Sequence, residues 1–334
     1  STVEIGALYA GKAEDLPSAF RADCQAMVGK AFYLYGDVTG DAEWRRRARN
    51  LAREVMRCQF TAPGKATYGA FRWMPTGNDA IYPQDDNNRN AEFLAWLFGR
   101  TGEAEYLEAA LAAVEFARDT GREDSTLSYW VTTPAEVESK GRFALRGANG
   151  FANVSDWCLF RHHYAYRATG DPGYLRSLRD LARIYGGLTT TPGAAAGLPD
   201  QGVQECLTER GLAAALHYSE ASDPVRGKLA AHYRALCEAY LAREDVRTYG
   251  YPVQNADIGA AEIGYAYQND SSIHTRAGEP LTDQLYTTAT MALRRWEVYK
   301  ADPTETSRRA VESVLDYLVR IQCEDPDPRL DGCW

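Results

Sequence analysis

The chain has 334 residues, 45% hydrophobic and 25% charged, a globular composition whose length suits one large domain or two ordinary ones. Lys and Arg number 37 against 46 Asp and Glu, a net charge of −9. That balance excludes nucleic-acid binding by phosphate neutralisation and weighs against a polyanionic polymer held without a local basic pocket. No run of 18 apolar residues occurs, so no helical membrane span is expected. The opening "STVEIGALYA" has no Met and no basic-then-apolar signal, which leaves localisation open. The 7 cysteines stand singly, without C-x-x-C, and are read as free thiols rather than a disulfide framework.

Along the chain one phrase recurs, as "YGDVTGDAEW", "FGRTGEAEYL", "YRATGDPGYL", "YSEASDPVRG" and "YKADPTETSR". Each copy follows an aromatic-rich helical run and precedes an Ala/Leu/Arg-rich amphipathic one. Gly or Ser beside Asp or Glu stops one helix and caps the next, so each phrase is the tight turn of an αα-hairpin. The hairpins are expected at roughly 15–59, 87–120, 152–186, 203–243 and 283–322 in one domain spanning 1–334. Their first helices, such as "FLAWLF" and "WCLFRHHYAY", are apolar almost all round and read as inner helices. Their second helices, such as "WRRRARNLAREVM" and "YLRSLRDLARIY", carry one apolar stripe and read as outer helices. Turns within hairpins are short, whereas the connections between hairpins are long. The long connections and the N-termini of the inner helices are therefore expected on one face.

This alternation of inner and outer helices resembles the six-hairpin (α/α) toroid superfamily of glycoside hydrolases and polysaccharide lyases, over essentially the whole chain. The likeness rests on architecture, the turn phrase and the aromatic-plus-carboxylate loops. It implies an all-α toroid, here with at least five hairpins: an open (α/α)5 ring or an incomplete (α/α)6 one. The "DGCW" near the end resembles "YGAFRW", the aromatic loop that precedes an inner helix earlier in the chain, and so favours an incomplete ring. The resemblance also implies a carbohydrate-active enzyme.

The polar segments fall on the expected long-loop face: "QDDNNRN", "NGFANVSDW", "LPDQGVQE", "EPLTDQLY" and the long stretch from Tyr249 to Leu281. Aromatic rings beside amides and carboxylates supply the flat apolar faces and paired donors and acceptors that sugars require. Candidate ligand-binding residues are Tyr68, Trp73, Tyr82, Gln84, Asp85, Asn87, Arg89, Asn153, Trp157, Tyr267, Gln268, His274 and Trp334. Glycoside hydrolysis needs two carboxyl groups, one protonated and one ionised. Asp85 and Asp86 open an inner helix, where the dipole and free N–H groups favour the anion, and Arg89 lies one turn on. Asp86 is accordingly expected as the ionised catalytic carboxylate. The acid is expected from Asp156 or Glu205, ahead of Asp257 and Glu262.

The runner-up chemistry is β-elimination on a uronate polymer, drawing on Asn87, Asn88, Arg89, His162, His163, His274, Arg276 and Tyr286. A second alternative is a helical scaffold that binds glycan or peptide without chemistry. The adjacent aspartates also raise a diphosphate-binding, metal-dependent helix of the terpene synthase kind, but Arg89 stands where a further acid is needed. No zinc, phosphate-loop or nucleophile-elbow spacing occurs, so no metal or cofactor is expected and the partner is an oligosaccharide or polysaccharide.

Overall fold

The computed structural model describes residues 21–74, 79–82, 86–121, 131–147, 155–188, 213–249, 285–322, 324 and 326. The chain divides into two compact units, 1–185 and 186–334. Among the described residues there are helices, turns and two isolated β-bridges, with no strand, and no helix is long and apolar enough to cross a membrane.

The first unit holds α1 (Ala22–Thr39), α2 (Ala42–Arg57), α3 (Asp86–Thr101), α4 (Ala104–Thr120), the short α5 (Pro134–Lys140), a 3-10 turn (Arg142–Gly147), α6 (Ser155–Thr169) and α7, which begins at Pro172. The second holds a helical segment at 213–218, α8 (Pro224–Ala242), the short α9 (Glu244–Tyr249), α10 (Leu285–Ala301) and α11 (Glu305–Arg320). Each of the five expected turns lies between two of these helices. The short elements α5, α9 and the 3-10 turn were not anticipated, because a run of six or seven residues carries too little periodicity to register.

The repeated phrase works through its threonine as well as its glycine. Gly40, Gly102 and Gly170 take left-handed φ values of 74°, 71° and 69° and end their helices. The preceding Thr39, Thr101 and Thr169 each donate Oγ1–H to the carbonyl four residues back and accept the N–H of the following acidic residue. Asp41, Asp171 and Asp223 then accept a backbone N–H of the next helix. Two copies depart from that pattern. Glu103 makes no capping bond and pairs with Arg49 at 2.8 Å. In the last turn Thr304 caps α11 in a reciprocal box with Ser307, while Asp302 pairs with Arg234 at 3.1 Å.

Outer helices bury a narrow stripe: Ala48, Ala52 and Val55 in α2, and Ala310, Val311, Val314 and Tyr317 among others in α11. The inner helix α3 buries ten of its sixteen residues and packs against α1, α4 and α6. Contacts between α1 and α3 advance together along both helices: Gly29 meets Phe93 and Tyr33 meets Trp96 edge-on at 5.5 Å. The two inner helices therefore run parallel, as consecutive inner helices of a toroid must.

Described residues of two long connections, after α2 and after α4, are folded against each other. Gln59 bridges Phe71 and Ile81 bridges Thr132, which joins the segment after α2 to the segment after α4. Beneath them Ala70, Ile81, Phe116, Val137 and Leu145 form a small apolar cluster. Glu138 Oε1 accepts both the N–H and Oγ1–H of Thr67, and Arg142 donates to the carbonyls of Ala66 and Tyr68.

Two glycines carry this packing. A Cβ at Gly29 would stand 2.5 Å from Cζ of Phe93, a ring that is 1% exposed, so Gly29→Ala is expected to cost about 1–3 kcal/mol. At Gly69 (φ 90°) a Cβ would lie 2.1 Å from the Ala112 carbonyl oxygen, which as backbone cannot yield, so Gly69→Ala should cost more. Urea unfolding midpoints check both. An unchanged midpoint for Gly29→Ala would mean that Phe93 repacks freely and that the α1–α3 approach is not fixed there.

Candidate active site

The first turns of α1 and α3 are brought together by the segment 58–82. Ala22 N–H donates to the Trp73 carbonyl at 3.0 Å, Trp73 N–H to Ala80 at 2.7 Å, and Asn87 N–H to Tyr82 at 3.1 Å. Asn87 fixes the same region through its side chain: Oδ1 accepts Phe71 N–H at 3.0 Å, and Nδ2 donates to the Ala113 carbonyl of α4 at 3.0 Å. Asn87 thus ties the loop, the inner helix and its outer partner with one buried amide.

Between those helix starts lies a cluster of buried charge. Asp23, in the first turn of α1, is 1% exposed, and Asp86, the first residue of α3, is 5% exposed. Arg21 donates Nε to Asp23 Oδ1 at 3.0 Å and Nη2 to Asp23 Oδ2 at 2.8 Å, and the same Nη2 reaches Asp86 Oδ1 at 3.4 Å. Arg89, one turn into α3, donates Nη1 to Asp23 Oδ2 at 3.1 Å. Burial opposes charge on Asp23, but Arg21, Arg89 and the hydrogen bonds outweigh it and hold the carboxyl below its usual range. Burial likewise opposes charge on Arg21, and Asp23 with Asp86 overcomes it and raises the guanidinium further.

Aromatic rings stand beside this cluster. Arg21 lies 5.2 Å from the Trp73 ring centroid, and Trp73 meets Tyr82 at 5.6 Å with a 51° tilt. Tyr68 is exposed on the neighbouring stretch of the same segment. Cys24, next to Asp23, is pushed up to about 12 by burial and by Asp23, so it is a thiol at neutral pH and no nucleophile. Further along, Lys30 of α1 and Glu92 of α3 pair at 2.9 Å, with Lys30 over the rings of Trp96 and Tyr164. His162 of α6 is buried, and burial, then Arg161 and Arg118, lower its pKa well below the usual histidine value, so the ring is neutral.

Of the residues singled out from sequence, the fold gathers Trp73, Tyr82, Asp86, Asn87 and Arg89 in one place. Asn87 there serves main-chain groups, and Arg89 pairs with Asp23. Asp156 and Trp157 stand in the first turn of α6, the helix that packs on α3, with side chains outside those described. Gln84, Asp85, Asn153, Glu205, Asp257, Glu262, Tyr267, Gln268, His274, Arg276 and Trp334 lie outside the described residues. Sequence reasoning missed Arg21 and Asp23. The signal was present in "FRADC", an acid in the first turn of an inner helix, as at Asp86; the expected start at residue 15 hid it inside the helix. Among the described residues no group of three or more His, Cys, Asp and Glu could hold a metal ion.

No protein-family model and no curated protein sequence matches the chain. Solved structures do. A cellobiose 2-epimerase from Spirochaeta thermophila DSM 6192 superposes with a TM-score of 0.63 at 12% identity, covering 94% of this chain and 77% of that one. The GH76A α-1,6-mannanase from Salegentibacter sp. HEL1_6 gives 0.50 at 16% identity, covering 65% of this chain, and the chain spans 63% of that mannanase's length. An inactive variant of the same mannanase, with two consecutive aspartates replaced and α-1,6-mannotetrose bound, gives 0.52 at 15%, covering 71% and 72%. The likeness is one of fold, the (α/α)6 toroid.

The Asp23 cluster sets an acid limit on stability. Its carboxyl is lowered in the folded state, so its contribution is present above the unfolded carboxylate range, near about 4, and is lost as pH falls through the folded value. Asp23→Asn, which removes the buried carboxylate that Arg21 and Arg89 both contact, is expected to cost about 1–3 kcal/mol at neutral pH. The penalty should shrink on acidification. Unfolding midpoints across that range test this, and curves of constant separation down to the most acid point would contradict it.

Proposed function

We propose that this chain is a glycoside hydrolase acting on an oligosaccharide, with Asp86 as one of its catalytic carboxyl groups. The observation that carries the reading is the convergence of two inner-helix starts, which sets the buried carboxyls of Asp23 and Asp86 and the Arg21 guanidinium beside the Trp73–Tyr82 pair. Carboxyl groups next to aromatic faces suit the recognition and cleavage of a polyhydroxylated ligand. The second catalytic carboxyl is Asp156 or Glu205, Asp156 being favoured because it stands in the first turn of the inner helix adjoining α3. Trp73, Tyr82, Trp157 and Tyr267 stack on sugar rings. Tyr68, Gln84, Asp85, Asn153, Gln268, His274 and Trp334 complete the ligand-binding set. Support comes also from the mannanase, whose inactive variant replaces two consecutive aspartates; Asp85 and Asp86 are consecutive here.

A second reading, sugar epimerisation, is favoured by the longer superposition on a cellobiose 2-epimerase. The two reactions separate by product mass. Hydrolysis adds one water and creates a new reducing end, whereas epimerisation leaves the mass unchanged. Elimination would instead give an unsaturated product absorbing in the ultraviolet.

Incubation with α-1,6-mannotetraose, cellobiose and a panel of uronate-containing oligosaccharides, followed by mass and reducing-end analysis, is expected to yield products one water heavier in sum. On the substrate so found, Asp86→Asn should lower kcat by about 10²–10⁴-fold. Full activity in that variant would refute the assignment of Asp86.

A further inference from the structure

We propose that Lys30 and Glu92, with Trp96 beside them, form a second sugar subsite within the first unit; this rests on reading the chain as acting on an oligosaccharide. Inner helix α3 has one open side. At about 100° per residue, Glu92 and Trp96 stand roughly 140° and 180° round the helix from Asn87, whose side chain bonds the Ala113 carbonyl of α4. Arg89 shares their side. From Asp86 to Leu97 only Arg89 and Trp96 stay partly exposed, and the other ten residues are buried. The side of α3 turned away from α4 is therefore the one that reaches open space. Lys30 marks the same side. Its Nζ pairs with Glu92 Oε1 at 2.9 Å and lies 5.6 Å from the ring centroids of both Trp96 and Tyr164. Helices α1 and α6 both pack on α3, so a side chain of α1 that bonds α3 and also reaches a ring of α6 crosses that open side.

At 1.5 Å per residue, Glu92 lies about 9 Å along α3 from Asp86, and Lys30 about 10 Å along α1 from Asp23. A glycan with one unit at Asp86 thus brings a further unit within reach of the pair. Burying an ion pair gains little stability over apolar residues of the same volume. It does offer what a sugar ring needs, an ammonium donor beside a carboxylate acceptor, matched to neighbouring hydroxyls. The partly exposed Trp96 indole, held edge-on by Tyr33 at 5.5 Å, adds apolar surface for the C–H groups of the same ring. The subsite binds and takes no part in bond breaking.

Calorimetric titration of the full chain with α-1,6-mannotetraose, α-1,6-mannobiose, cellotetraose and cellobiose tests the subsite. In at least one series the tetraose is expected to bind about 10-fold tighter than the biose, the worth of a hydrogen bond to a charged group. The double substitution Lys30→Met with Glu92→Leu replaces both charges together by apolar groups of similar size, which a folded interior tolerates. It should abolish the advantage of the tetraose. Glu92→Gln, which keeps the shape, should lower that advantage severalfold and decides alone if the double variant does not fold. Urea unfolding midpoints are read alongside. A variant with a lowered midpoint and an undiminished tetraose advantage marks a purely structural pair and overturns the proposal. So does equal binding of tetraose and biose by the wild type, or binding of none of the four. The hydrolase reading is decided separately, by product formation in the wild type and its loss in Asp86→Asn.

Discussion

The Arg21 guanidinium is the interaction on which this site depends. Two parallel inner helices present acidic first turns to each other, and two buried carboxyls so close would repel unless one is neutral or a cation stands between them. Arg21 contacts both and also lies over Trp73, so a single side chain joins α1, α3 and the aromatic segment before α3. Buried ionic groups seldom add net stability, but removing one partner is costly because the other is stranded. Such a cluster therefore fixes geometry more than it deepens the folding minimum, which is what a reacting centre needs.

Holding the cluster in place is a second shell of main-chain bonds. The described residues of 58–82 form no helix, yet their backbone is tied to α1 through Ala22, to α3 through Asn87, and to the segment after α4 through Thr132. Gly69 lets its backbone touch α4 where any side chain would collide. An otherwise irregular loop thereby acquires the rigidity that positions Trp73 and Tyr82.

The fold was legible because the chain repeats a local device. Three Thr-Gly-acid turns, and two related turns built on Asp223 and Thr304, carry their own local hydrogen bonds, so the recurring phrase marked the hairpins. The site was legible only as an address. "YPQDDNNRN" reads as the start of an inner helix, and it is, but which of its polar residues faces ligand depends on partners remote in sequence. Asn87 answers to Phe71 N–H and the Ala113 carbonyl, and Arg89 to Asp23. None of those pairings leaves a trace in local pattern. Asp302 shows the same limit: it resembles the capping acids of the other turns, yet Thr304 caps α11 and Asp302 pairs with Arg234.

The register of α1 against α3 has a charge logic of its own. In one pair the acid is on α1 and the base on α3, as Asp23 and Arg89; further along, the base is on α1 and the acid on α3, as Lys30 and Glu92. Sliding one helix past the other would trade these opposite pairs for like ones, and would also drive Phe93 off the notch at Gly29. Crossed charges and a single glycine thus select one register among several that apolar packing alone would tolerate. Because Asp23 pairs with Arg89 across the two helices and with Arg21 beside Asp86, the alignment of the inner helices and the geometry of the charged cluster are set by the same side chain.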